Sequence, residues 1–296
     1  RRGVAMSNKP ETMLGMELPD VDVWSERVTV ALGQNPGVFT GPGTNTYLVG
    51  TGPLRVLLDT GEGRSEYMPV LEAAIARTGC RGIQEIVLTH GHRDHLGGVA
   101  SVRERFGPLS VSKLPYDNFD DGHALDARPL GDGSVVETDG ATLRAVHTPG
   151  HAPDHLCFVL EEERSLFSGD NVLGVGTTVI PIGTGDLSEY MASLDRLLEL
   201  EPTRIYPAHG PAIDEGSAKI REYIAHRNER EEQVLAALAD EQRTPMEVVR
   251  EVYAAYPEKL FPAAAQSVTQ HLLKLEREQR VSRVGDDPAA ASWSRC

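Results

Sequence analysis

Cysteine is scarce in this chain. Cys80, Cys157 and Cys296 are the three in 296 residues, and no two form a CxxC pair. An odd, widely spaced set argues against a disulfide framework, rules out a cysteine-based zinc knuckle and fits a reducing compartment, so a cytoplasmic location is expected. Basic residues are outnumbered: 29 Lys and Arg against 44 Asp and Glu leave a formal charge of −15. A polyanion would need a localised basic patch to overcome that field. Aromatic residues make up 5%, with no run of them interleaved with bases such as a groove for single-stranded nucleic acid would use. No stretch approaches the ~20 apolar residues of a membrane-spanning helix, and no secretory apolar segment stands near the start, so no membrane partner is expected. The chain opens RRGVAMSNKP; Met6 reads as a native start, with Arg1–Ala5 as an extension ahead of it. No repeat and no low-complexity segment stands out.

What is present is an ordinary globular mixture, 40% hydrophobic and 25% charged, long enough for about two domains. Residues 1–25 read as a poorly ordered lead-in. From there short strand patterns alternate with helices. Strands are predicted at Arg27–Leu32, Thr46–Gly50, Leu54–Asp59, Ile83–Thr89, Leu109–Leu114, Ser134–Glu137, Ala141–His147, Leu156–Leu160, Ser165–Ser168 and Ile205–Pro207. Helices are predicted at Glu66–Arg77, Val99–Phe106 and Ser188–Leu200, the last with Ser188 as its cap. Asn118–Gly131, which contains His123, reads as a polar loop. This is an α/β (α+β) pattern of sheets covered by helices, spanning 26–213. Beyond it, 214–296 reads as a small helical, winged-helix-like domain: a long helix over Ser217–Asp240, a capping box at Thr244–Glu247, a third helix over about Ala263–Arg280 and a short strand at Val281–Val284. That segment holds 12 basic and 15 acidic residues, interleaved, and so presents a solvated surface before a nucleic-acid face.

The histidines are not evenly spread. Thr89-His90-Gly91-His92-Arg93-Asp94-His95 follows directly on an apolar strand and packs four ligand-type side chains into six residues. In an extended segment His90 and His92 share a side, while a turn at Asp94-His95 aims that pair elsewhere. This suits two adjacent metal ions better than one. Imidazole and carboxylate donors suit Zn²⁺, with Mn²⁺ or Fe²⁺ as alternatives. His151, Asp170 and His209 each follow a strand and a small or turn-forming residue, and look placed to complete such a site, with Asp170 able to bridge two cations.

These motifs, HxHxDH followed by a distant His, then Asp, then His, resemble the metallo-β-lactamase fold superfamily. Within it the chain is most similar to the group of β-lactamase-like protein 2, of the endoribonuclease LACTB type. The similarity is carried by GTNTYLVGTG (Gly43–Gly52), LLDTGE (Leu57–Glu62), IQEIVLTHGHRDHLGG (Ile83–Gly98), HTPGHAPDH (His147–His155), LFSGDNVLGVGTTV (Leu166–Val179) and IYPAHGP (Ile205–Pro211), and continues into Ala218–Leu235 and His271–Glu278. The resemblance implies an αββα sandwich followed by a helical domain. It implies that His90, His92 and His151 hold a first zinc and that Asp94, His95 and His209 hold a second, with Asp170 bridging. The implied nucleophile is a hydroxide held between two Zn²⁺, oriented by Asp94. Zinc β-lactamases carry Cys where Asp170 falls, which makes antibiotic hydrolysis at most a weak side activity. Only 19 positions separate His151 from Asp170 and 39 separate Asp170 from His209, too few for an inserted nucleic-acid cap.

Other residues carry competing readings. His155, four positions after His151, is either a catalytic proton shuttle or donor behind the ligands, or a satisfied core histidine. Asp59 either caps a turn or hydrogen-bonds a ligand loop. Thr177, Thr178, Lys113 and Tyr116 are candidate substrate contacts. Three functions compete. One is cleavage of single-stranded RNA, which the resemblance implies. Another is hydrolysis of a small ester, thioester or lactone. The third is a non-enzymatic, metal-bound binding module.

Overall fold

A computed structural model describes residues 15–116, 125–174, 176–238 and 241–296. Most of the expected lead-in, His123 and half of the loop around it lie outside the described residues. Seven strands form the first sheet in chain order: β1 (Val21–Val23), β2 (Val28–Leu32), β3 (Asn45–Val49), β4 (Leu54–Leu58), β5 (Gly82–Val87), β6 (Val111–Lys113) and β7 (Ala127–Pro129). Between them run α1 (Tyr67–Thr78), α2 (Arg93–Leu96) and α3 (Val99–Phe106). The second sheet has the order β12-β11-β10-β9-β8, made of β8 (Val135–Thr138), β9 (Ala141–His147), β10 (Leu156–Leu160), β11 (Ser165–Gly169) and, after α4 (Leu187–Glu199), β12 (Arg204–Pro207).

Side-chain alternation fixes how these layers stack. Along β2 to β4, Val28, Val30, Tyr47, Val49, Val56 and Leu58 face Leu143, Ala145, Leu156, Phe158, Phe167 and Tyr206 of the other sheet. The interleaved Ala31, Leu48 and Leu57 face Leu71 and Ala74 of α1 and Val99 and Val102 of α3. On the far side, Cys157, Val159 and Leu166 pack on Leu187, Tyr190, Leu194 and Leu197 of α4. The result is the expected four-layer α/β/β/α sandwich, each sheet buried on both faces.

The chain continues into α5 (Gly216–Ala237), α6 (Pro245–Val252), α7 (Phe261–Arg277) and the hairpin of β13 (Val281–Val284) with β14 (Ser292–Arg295). Ile220 and Tyr223 in the first half of α5 pack in the layer of α4, whereas Val234 and Leu235 in its second half pack with α6, α7 and Trp293. One helix is thus shared by both units. The capping box at Thr244 is present, with Thr244 and Glu247 satisfying each other's backbone N–H.

Three differences from the sequence reading have plain causes. Residues 21–23, expected in the lead-in, form β1 because Val21–Val23 pairs antiparallel with Thr29–Ala31. Helix α4 is capped by Asp186, not Ser188, because the Asp186 carboxylate accepts from both Ser188 N and Glu189 N. The strands β7 and β14 went unseen because three or four residues without strict alternation give almost no periodic signal.

Candidate metal centre

The strands β5, β9, β11 and β12 deliver their following loops to one end of the sandwich. After β5 the chain bends at Thr89 and Gly91, His92 is extended (φ −71°, ψ 145°), and then α2 begins at Arg93. That switch sends His90 and His92 one way and Asp94 and His95 another. Gly98 lets the end of this loop lie against the β4–α1 loop: a Cβ there would stand 2.1 Å from the Thr60 carbonyl oxygen.

Two donor groups result. His90, His92, His151 and Asp170 form the first, and Asp94, His95, His209 and Asp170 the second, with the donor atoms in each within 4.8 Å of one another. In the first, His92 Nδ1 lies 2.9 Å from His90 Nε2 and 3.0 Å from His151 Nε2, and His151 Nε2 lies 3.4 Å from Asp170 Oδ2. In the second, His95 Nε2 lies 3.3 Å from Asp94 Oδ2 and 3.5 Å from Asp170 Oδ1, while His209 Nε2 lies 3.4 and 3.2 Å from the same two oxygens. The two oxygens of Asp170 therefore face different groups.

These spacings fit cations. Bonds of ~2.0–2.1 Å in a tetrahedral shell put neighbouring donors ~3.3–3.4 Å apart. His95 Nε2 and Asp170 Oδ1 are buried without a hydrogen-bond partner, as donors reserved for a metal would be. The outer nitrogens are committed: His151 Nδ1 donates to Val179 O at 2.7 Å, His95 Nδ1 to Asp59 Oδ2 at 2.8 Å, and His90 Nδ1 meets Thr89 Oγ1 at 3.0 Å. Such partners fix the tautomer that leaves the inner nitrogen as a lone-pair donor.

Electrostatics separate the groups. Burial, reinforced by neighbouring imidazoles, holds His90 well below its usual range. Burial and His151 push His92 down to about 4. Burial also opposes the charge on His95, but Asp94, Asp170 and Asp59 together outweigh it and hold His95 well above its usual range. By the same balance His209 rises to about 10. Burial would raise the carboxyls of Asp94 and Asp170, yet the facing imidazoles hold both below the usual carboxylate range.

The other sequence candidates divide. Asp59 is a hydrogen-bonding partner of the ligand loop: it adopts φ +60°, and its carboxylate accepts from Thr89 N, Thr89 Oγ1 and His95 Nδ1. His155 is not a proton shuttle. It is buried, its Nε2 accepts from Asp170 N at 3.0 Å and its Nδ1 meets Thr148 Oγ1 at 2.9 Å, so both nitrogens are occupied. Gly169 makes that contact feasible, since at φ +50° a Cβ would stand 2.5 Å from His155 Nε2. Thr178 is not a substrate contact, because its buried hydroxyl bonds Asp170 O and Asn171 O. Nor is Lys113, whose buried ammonium pairs with Asp154 at 2.7 Å. Thr177 is exposed on the same loop as Thr178, and Tyr116 is half exposed beside the segment outside the described residues.

The sequence reading missed Asn45, whose amide donates to Pro207 O and Gly210 O at 2.8 Å and so splints the His209 loop. The signal was there, a lone amide opening a buried strand. It also missed Thr44, whose hydroxyl faces Asp94 Oδ2 at 3.5 Å.

Comparison with known proteins agrees with this layout. Residues 39–209 match the family model described as the metallo-beta-lactamase superfamily, and 244–293 match the beta-lactamase associated winged helix domain. A beta-lactamase-like protein 2 homolog of Caenorhabditis elegans is 43% identical over 265 residues, covering 86% of either chain. A beta-lactamase domain protein from Burkholderia ambifaria shares the fold over 97% of both chains, at a TM-score of 0.80 and 20% identity. A third protein, solved in a di-iron-bound form, is 32% identical and covers 61% of this chain and 93% of its own, at a TM-score of 0.50.

Proposed function

Because this chain belongs to the metallo-beta-lactamase superfamily, we propose that it is a hydrolase that works with two divalent cations, one in each donor group, with Asp170 between them. The observation that carries this reading is the split of Asp170, Oδ2 toward His151 and Oδ1 toward His95 and His209. The solved relative in a di-iron-bound form supports a count of two. The all-nitrogen-and-oxygen donor set supports Zn²⁺, with Mn²⁺ or Fe²⁺ also suited. Bound cations would lower the pKa of a water and polarise the scissile bond.

The chain's own contribution is placement. His90 and His92 supply neutral imidazoles, and His151 turns its Nε2 toward Asp170. Asp94 is the more open of the two carboxylates, its side chain 24% exposed against 12% for Asp170. It can accept a hydrogen bond from the attacking water and aim it. Its depressed pKa makes it an orienting acceptor, not a strong base.

The surroundings favour a carboxylic-acid derivative, an ester, thioester or lactone with an apolar acyl part. Val38 and Phe39 are 59% and 67% exposed on the loop whose base, Gly43 and Thr44, meets His209 and Asp94. Val179, whose carbonyl holds His151, also shows its side chain to solvent. Among the described residues, the Lys113 ammonium is buried against Asp154 and so turned away from a polyanion, while Arg93, 3.9 Å from Glu62, is exposed. The three cysteines are free, which supports a cytoplasmic setting. No helix among the described residues is long and apolar enough to cross a membrane.

The test is a paired assay of zinc-loaded and chelator-stripped protein on acyl thioesters and on a labelled single-stranded oligoribonucleotide. Metal-dependent thioester turnover with intact RNA is expected. RNA cleavage with intact thioester would reverse the substrate class, and inertness of the loaded protein toward both would sink the hydrolase reading.

A further inference from the structure

We propose that Arg227 and Gln270, on the two long C-terminal helices, are positioning residues for the first donor group. This rests on the reading that the group binds a cation. The carrier is the segment between β11 and α4, which has no strand or helix among its described residues. It starts at Asp170, folds back so that Thr178 Oγ1 bonds the carbonyls of Asp170 and Asn171, and presents Val179 O to His151 Nδ1. The metal-facing state of His151 therefore depends on where residues 178–185 sit.

Helices α5 and α7 help to hold that stretch. The Arg227 guanidinium, almost fully buried and 5.3 Å above the Tyr190 ring, donates to Thr178 O. The Tyr190 hydroxyl in turn donates to Asn171 O at 2.6 Å. The Gln270 amide, also buried, donates to Pro181 O at 2.8 Å and to Gly185 O at 3.2 Å. Arg277 adds an ion pair to Asp186, whose N–H donates to Gly150 O next to His151. Val179 lies inside this frame, one residue from the Arg227 contact and two from the nearer Gln270 contact. The same stretch reaches the second group only through backbone, the Gly174 N–H donating to the His209 carbonyl at 2.8 Å, while the ring nitrogens of His95 and His209 meet Asp59 and the Gly43 carbonyl. The C-terminal domain thus bears on a ligand ring of the first position, through Val179 O, and on the second position only through the backbone of Asp170 and His209.

The experiment is calorimetric titration of Zn²⁺ into the chelator-stripped full chain, wild type against R227M and Q270M, with R227K as the conservative variant. It is paired with ¹⁵N imidazole spectra of the metal-free proteins. Partners of this kind are worth about 10- to 100-fold in metal affinity. Expected is a loss of about tenfold or more at the first position in both Met variants, a distinctly smaller loss at the second position and partial recovery in R227K. His151 should lose the preference for the Nδ1–H tautomer that its contact with Val179 O selects. Variants that bind both equivalents like the wild type would overturn the inference, as would equal weakening at both positions with a lowered thermal midpoint of the metal-free chain. A wild type that binds fewer than two equivalents would instead sink the two-cation reading.

Discussion

The donor group around His92 and the donor group around His209 share a carboxylate and have opposite electrostatic habits. In the first, three imidazoles crowd one carboxylate oxygen. Burial leaves His90 and His92 neutral, so the nitrogens stand ready for a cation at neutral pH. In the second, two imidazoles sit among the carboxylates of Asp94, Asp170 and Asp59, and both His95 and His209 are pushed toward the protonated form when no metal is bound. The second group thus carries its own positive charge until a metal displaces it. The same residue types, at the same end of the same sandwich, give one position that fills freely and one whose filling costs protons.

The largest expected effect breaks what the two groups share. Asp170→Ala removes a donor from each, so bound metal should fall from two equivalents to at most one. Hydrolysis should fall at least about a hundredfold, since such sites supply several kcal/mol of transition-state stabilisation. Metal analysis with steady-state kinetics checks both. Next, Asp59→Asn loosens His95 and should weaken the second position about 10- to 100-fold with a smaller change at the first. An equal loss at both would erase the asymmetry. His155→Phe should lower stability by about 1–3 kcal/mol by leaving the Asp170 N–H unpaired, while both limbs of the pH–rate profile stay in place. A vanished limb would restore His155 as a proton shuttle. Thr44→Val, which removes one long hydrogen bond to Asp94, should cost about two- to fivefold at the second position only.

The ligands were legible because each follows an apolar strand and the motif switches from extended to helical within six residues. The layers were legible because Val28, Val30, Tyr47 and Val49 alternate with Ala31 and Leu48. What spacing could not show is which side of a ligand a residue takes. His155 stands four residues from His151, yet it ends behind Asp170, because the loop between them turns back. Lys113 reads as a candidate substrate contact, but β6 is buried and its partner Asp154 is 41 positions away. Arg227 looked like one more charge on a solvated helix, and only the packing of α5 against α4 reveals it as a tie to the Asp170 loop.

The asymmetry has a direct readout in proton release. Zn²⁺ should be titrated calorimetrically into the metal-free chain near pH 7, in buffers of different ionisation enthalpy. Two equivalents should bind per chain. The first should release few imidazole protons, and the second should release up to two, from His95 and His209. The second should tighten as pH rises toward about 10, the value to which His209 is pushed. A single equivalent, or two that release equal numbers of protons and share one pH dependence, would contradict this asymmetry.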